Sequence, residues 1–451
     1  MTGDNQRMDG TESQDRPVGG GLNRRDALKA AGGSAIALAL AGCADLLGGD
    51  DDEEAVAGDI PDEDIEAGLQ TFTEGPASVL GVQAQYGAEE AVRRINDNGG
   101  IAGREMNLEV VHEDGSWAEN YNRWVDEGKD VTFGPISSGG HLDLVGEVEA
   151  AGVVNVATDG TVTTLFEEEI DDPTYSFRFQ NHDVMEASSA AITAVEQLGA
   201  ENIDTYANIN PDYAFGQDER EIFNETIEAL TGAEEVYNGF PELATDDMST
   251  HVTAVVSEEP DVLFSSCWGG DATLLLSQGQ DQGMPDATDI IVGPVFYGSA
   301  NDFSQGDIQG NIWSGSRNFY WGFPPTNRWD PGQELFDAAQ DAEDTIPTAH
   351  YMSGYGAVTA WATAVEKAID MLGGWPEQEQ IANALEGHGF FTPAGYHTMA
   401  TDHQCYSSAH FGRLEWSDDI DGPVLEDVSV RDPREVSPPP GRISREWIAG
   451  W

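Results

Sequence analysis

Two short segments gather residue types suited to gripping a small anion. The first, FGPISSGG (Phe133–Gly140), ends an apolar run and places Ser137, Ser138, Gly139 and Gly140 where a helix begins. The second, NVATDGTVTTLF (Asn155–Phe166), repeats the plan, with Asp159, Gly160 and Thr161 following another apolar run. A helix start leaves its first backbone N–H groups unpaired and carries the positive end of the helix dipole, and Ser and Thr hydroxyls add further donors. Ser138 alone reads equally as an ordinary N-cap. Two such junctions side by side point instead to a site for a carboxylate or similar oxygen-bearing group.

The elements that must position these junctions alternate regularly. Short apolar runs predict strands at 65–73, 106–112, 130–134, 153–157, 203–209, 261–265 and 289–293. Helix-period stretches predict helices at 79–98, 138–151, 184–198, 215–230 and 272–282. Strand–helix alternation implies parallel sheets covered by helices on both faces, and the number of units exceeds one sheet. The expected fold is therefore α/β with two Rossmann-like lobes. A long Ala-rich helix is expected at 351–372, and the Pro-punctuated end, 431–451, as a loose C-terminal tail. In open parallel sheets ligands bind beyond the carboxyl ends of the strands, where both Ser/Thr-Gly junctions fall.

The chain has 451 residues, with 83 acidic against 20 basic side chains and a formal net charge of −63. Repulsion makes nucleic acid and anionic membrane surfaces poor partners. With 39% hydrophobic residues set in regular segments, the acidity reads as a hydrated, halophilic surface on a folded chain rather than as disorder.

The first 42 residues differ sharply from the rest, because five acidic and five basic side chains cancel there. Twin arginines, Arg24 and Arg25, precede an apolar run from Ala30 to Leu40 that is too short to span a bilayer, followed by LAGC. Residues 1–42 thus read as a twin-arginine signal segment, and Cys43 as the lipidated first residue of the exported chain. Residues 43–64, rich in Gly and acid, read as a tether. Cys267 and Cys405 remain, and their pairing stays open from sequence alone.

Residues Glu74–Asp114 resemble the branched-chain amino-acid-binding family of solute receptors for ABC importers, through Gly75-Pro76, Gly81, Gly87-Ala88, Ile95-Asn96, GGIAGR (Gly99–Arg104) and Asp114. VTFGPISS, IANALEGHGFFTPAG and TDHQ (Thr401–Gln404) are similar to further family segments, so the likeness covers about 65–416. It implies a type I periplasmic-binding-protein fold, two lobes joined by a hinge of crossing strands. Lobe one would be 65–178 with 317–400, and lobe two 179–316 with 401–430; Tyr175–Phe179 would form the first crossing strand.

The resemblance also implies that a ligand carboxylate meets the Ser138 and Thr161 hydroxyls, with backbone at Ser138, Asp159 and Thr161 completing the pocket. PDYAFGQDE offers Tyr213 or Phe215 as the aromatic laid on the ligand, and SSCWGGDA places Trp268 at another strand end. Amino-acid binders of this family carry an acid after the "GP" strand for the ligand ammonium, whereas this chain has Val295. The departure opens three ligand classes: an amino acid held in another way (Asp159 as substitute), an amide or urea-like compound, or an organic acid. Leu80 stands where an aromatic is common, and Phe296 and Tyr297 read either as ligand wall or as core.

The implied partners are the ligand, a permease and ATPase pair, and the membrane through Cys43, with the receptor a monomer. A ligand-sensing module of the same fold without a transport role is the alternative. No cofactor is expected. His397, His403, Cys405 and His410 cluster in sequence, but their spacing fits no zinc pattern. No GK[ST] loop or G-x-S-x-G elbow suggests an enzyme. The sequon at Asn224 reads as a chance match on a helix.

Overall fold

A computed structural model describes residues 58–170, 172–323 and 330–450. The signal segment, Cys43 and most of the tether lie outside these residues. The first sheet is built from β1 (Ile65–Thr71), α1 (Ser78–Asp97), β2 (Met106–His112), α2 (Trp117–Glu127), β3 (Val131–Phe133), α3 (Ser138–Ala151), β4 (Asn155–Ala157) and β5 (Ser176–Arg178). Its strand order is β2-β1-β3-β4-β5 and every pairing is parallel. β3, β4 and β5 are buried at every residue, because helices cover both faces and leave no polar side to alternate.

The second sheet follows with α4 (Asp183–Leu198), β6 (Thr205–Ile209), α5 (Ala214–Thr231), β7 (Glu234–Gly239), α6 (Ser249–Glu258), β8 (Val262–Phe264), α7 (Gly269–Gln282), α8 (Met284–Ala287), β9 (Ile290–Gly293) and β10 (Ile312–Gly315). The chain then returns to the first sheet with α9 (Pro331–Glu343), α10 (Ala349–Leu372) and α11 (Gln378–Leu385). A small antiparallel sheet comes next: β11 (Gly389–Thr392), β12 (Gly395–Met399) and β13 (Cys405–Tyr406). Finally β14 (Ala409–Ser417) and β15 (Gly422–Arg431) form a hairpin that joins the second sheet antiparallel to β10.

The second sheet therefore runs β15-β14-β10-β9-β8-β6-β7. Its parallel part repeats the order of the first sheet, and the antiparallel edge is an addition to the expected all-parallel pattern. Three segments pass between the bodies: after β5, after β10 and before β14. They are tied together where the Arg178 N–H donates to the His403 carbonyl (2.9 Å), Ser316 N–H to the His410 carbonyl (3.0 Å) and His410 N–H to the Arg317 carbonyl (2.7 Å).

The C-terminal segment is not loose, which corrects the sequence expectation. α12 (Pro433–Val436) and α13 (Ser444–Ile448) pack on α4 and α5. Val436 and Ile448 are fully buried, and Ser444 bonds the Glu167 carboxylate through both N–H and hydroxyl. Proline punctuation marked the turns, but scattered apolar residues between them found an apolar groove.

α1 and α10 cross at glycines. A Cβ on Gly87 would overlap the Tyr351 carbonyl, and one on Gly354 the Ala84 carbonyl, so the two backbones touch. Gly354→Val should cost about 1–3 kcal/mol by overpacking. Gly146→Ala, on α3 with open space around it, should stabilise by about 0.4–1 kcal/mol. Chemical denaturation in concentrated salt measures both; equal stabilities would refute the close crossing.

Candidate functional site

Between the carboxyl ends of the two parallel sheets lies a cavity of about 470 Å³. From the first sheet come Phe72 and Gly75 after β1, Ser137 and Ser138 after β3, and Asp159 and Thr161 after β4. Facing them are Tyr213 and Phe215 after β6, Trp268 after β8 and Val295 after β9. Both sheets contribute at the point where strand order reverses, between β1 and β3 and between β6 and β8, the crevice favoured for ligands in open α/β sheets.

The two Ser/Thr-Gly junctions are stitched together. Asp159 N–H donates to the Pro135 carbonyl (3.3 Å) and Gly160 N–H to that of Ile136 (3.0 Å). The Ser137 hydroxyl caps α3 by accepting from Gly140 N–H at 3.1 Å. Ser138 therefore is not the cap. It is 5% exposed and lines the cavity. Gly139, the next helical residue, does not line it, because successive helical positions point about 100° apart. Thr161 is buried and its carbonyl accepts Asp183 N–H (3.1 Å).

Four charged or titratable residues that sequence reasoning passed over hold this floor in place. The Arg178 guanidinium, fully buried, donates to the carbonyls of Gly160 (2.7 Å) and Val162 (2.9 Å) and to Gln404. Glu113 accepts from the N–H groups of Ile136 (2.6 Å) and Ser137 (3.1 Å) and from the Trp117 indole (3.2 Å). Burial nevertheless pushes its carboxyl up to about 7. Asp159 pairs with Arg317 at 2.5 Å and with His350 at 3.1 Å. Burial opposes its charge, but Arg317 and His350 prevail and hold the carboxyl below the ordinary range. The only textual hint was adjacency: Glu113 precedes the Asp114 of the family pattern.

On the opposite wall, the Trp268 indole N–H donates to the Tyr213 hydroxyl at 2.9 Å, and Phe215 is 3% exposed. Phe296 and Tyr297 are core residues, fully buried in the apolar cluster of the second sheet and absent from the cavity wall. Val295 lines it without any charge.

The remaining motifs resolve into packing. His397 meets the Thr392 hydroxyl (2.7 Å), His403 stacks on Phe177 with centroids 4.0 Å apart, and His410 meets the Ser408 hydroxyl (3.2 Å). Cys267 and Cys405 are free and buried in different clusters. The Asn224 side chain is engaged by Asn208 (2.9 Å) and Glu235 (3.3 Å).

The geometry is that of a two-lobed solute receptor, and residues 64–419 match the periplasmic binding protein family. The chain belongs to that family. It is 26% identical over 330 residues to the Leu/Ile/Val-binding protein BraC3 of Rhizobium johnstonii, covering 72% of this chain and 83% of the relative. Among solved structures it resembles a leucine-binding protein of Thermotoga maritima (TM-score 0.67, 16% identity, 82% and 99% of the two chains). It also resembles a solute-binding protein of R. palustris in complex with benzoate (TM-score 0.67, 15% identity, 81% and 96%).

Glu113 generates a pH prediction. Between about 4.5 and about 7 the folded chain keeps a proton there that the unfolded chain has lost. This group's contribution therefore falls as pH rises through that window, by up to about 1.4 kcal/mol per pH unit. Glu113→Gln should remove the fall, so wild type loses stability relative to the variant between pH 5 and 7. Unfolding curves at stepped pH check it; a difference that stays flat would contradict the assignment.

Proposed function

We propose that this protein is the lipid-anchored, extracytoplasmic receptor of an ABC importer, and that it captures a small carboxylate with an apolar body. The observation that supports this most is the pairing of walls. Ser138 and Thr161, at stitched helix-start junctions, face Tyr213, Phe215 and Trp268 across one cavity. The ligand's carboxylate is received by the Ser138 and Thr161 hydroxyls and by the N–H groups at the start of α3. Its body lies among Phe72, Leu80, Phe215 and Trp268, where apolar burial supplies the affinity.

An α-ammonium group has no buried free carboxylate to meet, since the unengaged acid on the cavity wall, Glu74, is exposed to solvent. Val295 is uncharged, Asp159 is spent on Arg317 and His350, and Glu113 is occupied by backbone donors. A buried, unpaired ammonium is costly, so the reading favours an organic acid over an amino acid. The benzoate-bound R. palustris relative is in keeping with this.

Lobe one, 65–178 with 317–400, and lobe two, 179–316 with 401–430, act as the two bodies. The lobes close about the three crossing segments, driven by contacts that form only when shut. Export follows the twin-arginine segment, and Cys43 holds the product on the outer membrane face beside its permease and ATPase.

Calorimetry in concentrated KCl should show aromatic or aliphatic monocarboxylates binding more tightly than the corresponding amino acids. Thr161→Val should weaken the best of them by about 1.5–3 kcal/mol while the fold survives. Equal affinity in variant and wild type removes Thr161 from the site. Cys43→Ser should release the protein from the membrane fraction of the producing cell; unchanged retention would refute the lipid anchor.

A further inference from the structure

Below the floor of the cleft, on the second-sheet side, three carboxyl groups converge. Asp183 opens α4, Glu186 sits three residues on along the same face, and Glu219 comes from α5. One oxygen from each lies within 4.8 Å of the others. Asp183 and Glu219 are fully buried and Glu186 is 3% exposed. Among the described residues, none of the six carboxylate oxygens takes a well-aligned hydrogen bond, although the Thr161 side chain lies against Asp183 and Arg317 against Glu186. Buried polar groups are nearly always paired, so three convergent carboxyls with one shared guanidinium among them call for a further partner.

Neighbouring cations do not supply it. Arg317 Nε lies 3.0 Å from Glu186 Oε1, but the same guanidinium also neutralises Asp159. Arg178 is committed to Gly160, Val162 and Gln404. Asp218, next to Glu219, adds a further negative charge while bonding Thr163 N–H (3.0 Å) and hydroxyl (2.9 Å). Five carboxyl groups, counting Asp159, thus share two guanidiniums.

We infer that Asp183, Glu186 and Glu219 ligate a calcium-sized cation that clamps α4 to α5 directly after the first crossing segment. The donors are all hard carboxylate oxygens, which suits Ca²⁺ and disfavours zinc. Ca²⁺ also accepts irregular carboxylate sets more readily than Mg²⁺, which demands a near-ideal octahedron and gives up its waters reluctantly. Without the cation, burial and mutual repulsion push the Asp183 and Glu219 carboxyls well above their ordinary range and that of Glu186 up to about 8. This inference does not depend on what the cleft above it carries.

The test is a CaCl₂ titration of the chelator-treated full chain in concentrated KCl at pH 7. One saturable site per chain is expected, with a raised melting temperature. Glu219→Gln and Asp183→Asn should each weaken that site at least tenfold. Both variants remove a repelling charge, so they should melt no lower than wild type in chelator. The surface pair Asp246→Asn/Asp247→Asn should leave the site intact, separating it from diffuse binding to the acidic exterior. Uptake that never saturates, or a site equally tight in Glu219→Gln and Asp183→Asn, would overturn the assignment and leave protons as the partner of the cluster.

Discussion

A single buried guanidinium ties the two bodies of the molecule together. Arg317, on the second crossing segment and 6% exposed, reaches Asp159 in the loop after β4 and Glu186 on α4. Burial works against its charge, but the two carboxylates more than compensate and keep it protonated. Breaking such a pair leaves an uncompensated charge in a dry interior, at a cost of about 3–5 kcal/mol. A planar, permanently charged fork suits this better than lysine would, because it can face two carboxylates from one position. The same contact neutralises Asp159, so the loop that carries Thr161 presents donors and no free anion.

Around that tie the architecture is nearly duplicated. β2-β1-β3-β4-β5 and β7-β6-β8-β9-β10 are the same order used twice. Each sheet therefore opens its crevice at the equivalent point, and the two crevices face one another. One supplies hydroxyls and helix starts, the other aromatic rings. The division has a physical logic. A docked carboxylate needs fixed donors on a body that is already ordered, whereas an apolar body gains most when a second surface closes over it and expels water.

The regular elements were legible because buried parallel strands are continuous apolar runs, as at Val262–Phe264 and in Ile290–Gly293. The strand-end residues that line the cavity, Ser138, Thr161, Tyr213, Phe215, Trp268 and Val295, were legible largely through the family resemblance, and topology sends those ends to one place. Glu113, Arg178, Arg317 and His350 were not. Each is a lone polar residue whose meaning lies in partners far along the chain (159 and 317, 178 and 404), and among 83 acidic side chains no spacing distinguishes the one that matters. The docking of 433–448 was hidden likewise, since a few apolar residues among prolines show no period. The β14–β15 hairpin escaped because it adds to an edge instead of continuing the strand–helix repeat.

A surface charge of this size bears on the proposed ligand as well. A chain of net charge −63 repels a free carboxylate in dilute solution, yet in molar salt the Debye length shrinks to about 3 Å. Exterior charges are then invisible to a ligand more than a few ångströms away, while donors inside a closed cleft are screened far less. The acidic exterior therefore serves hydration and solubility without deciding specificity, which falls to buried groups within a few ångströms of the guest. That separation explains how the outside of the molecule can be strongly anionic while the cleft offers hydroxyls, helix starts and aromatic rings to an anion.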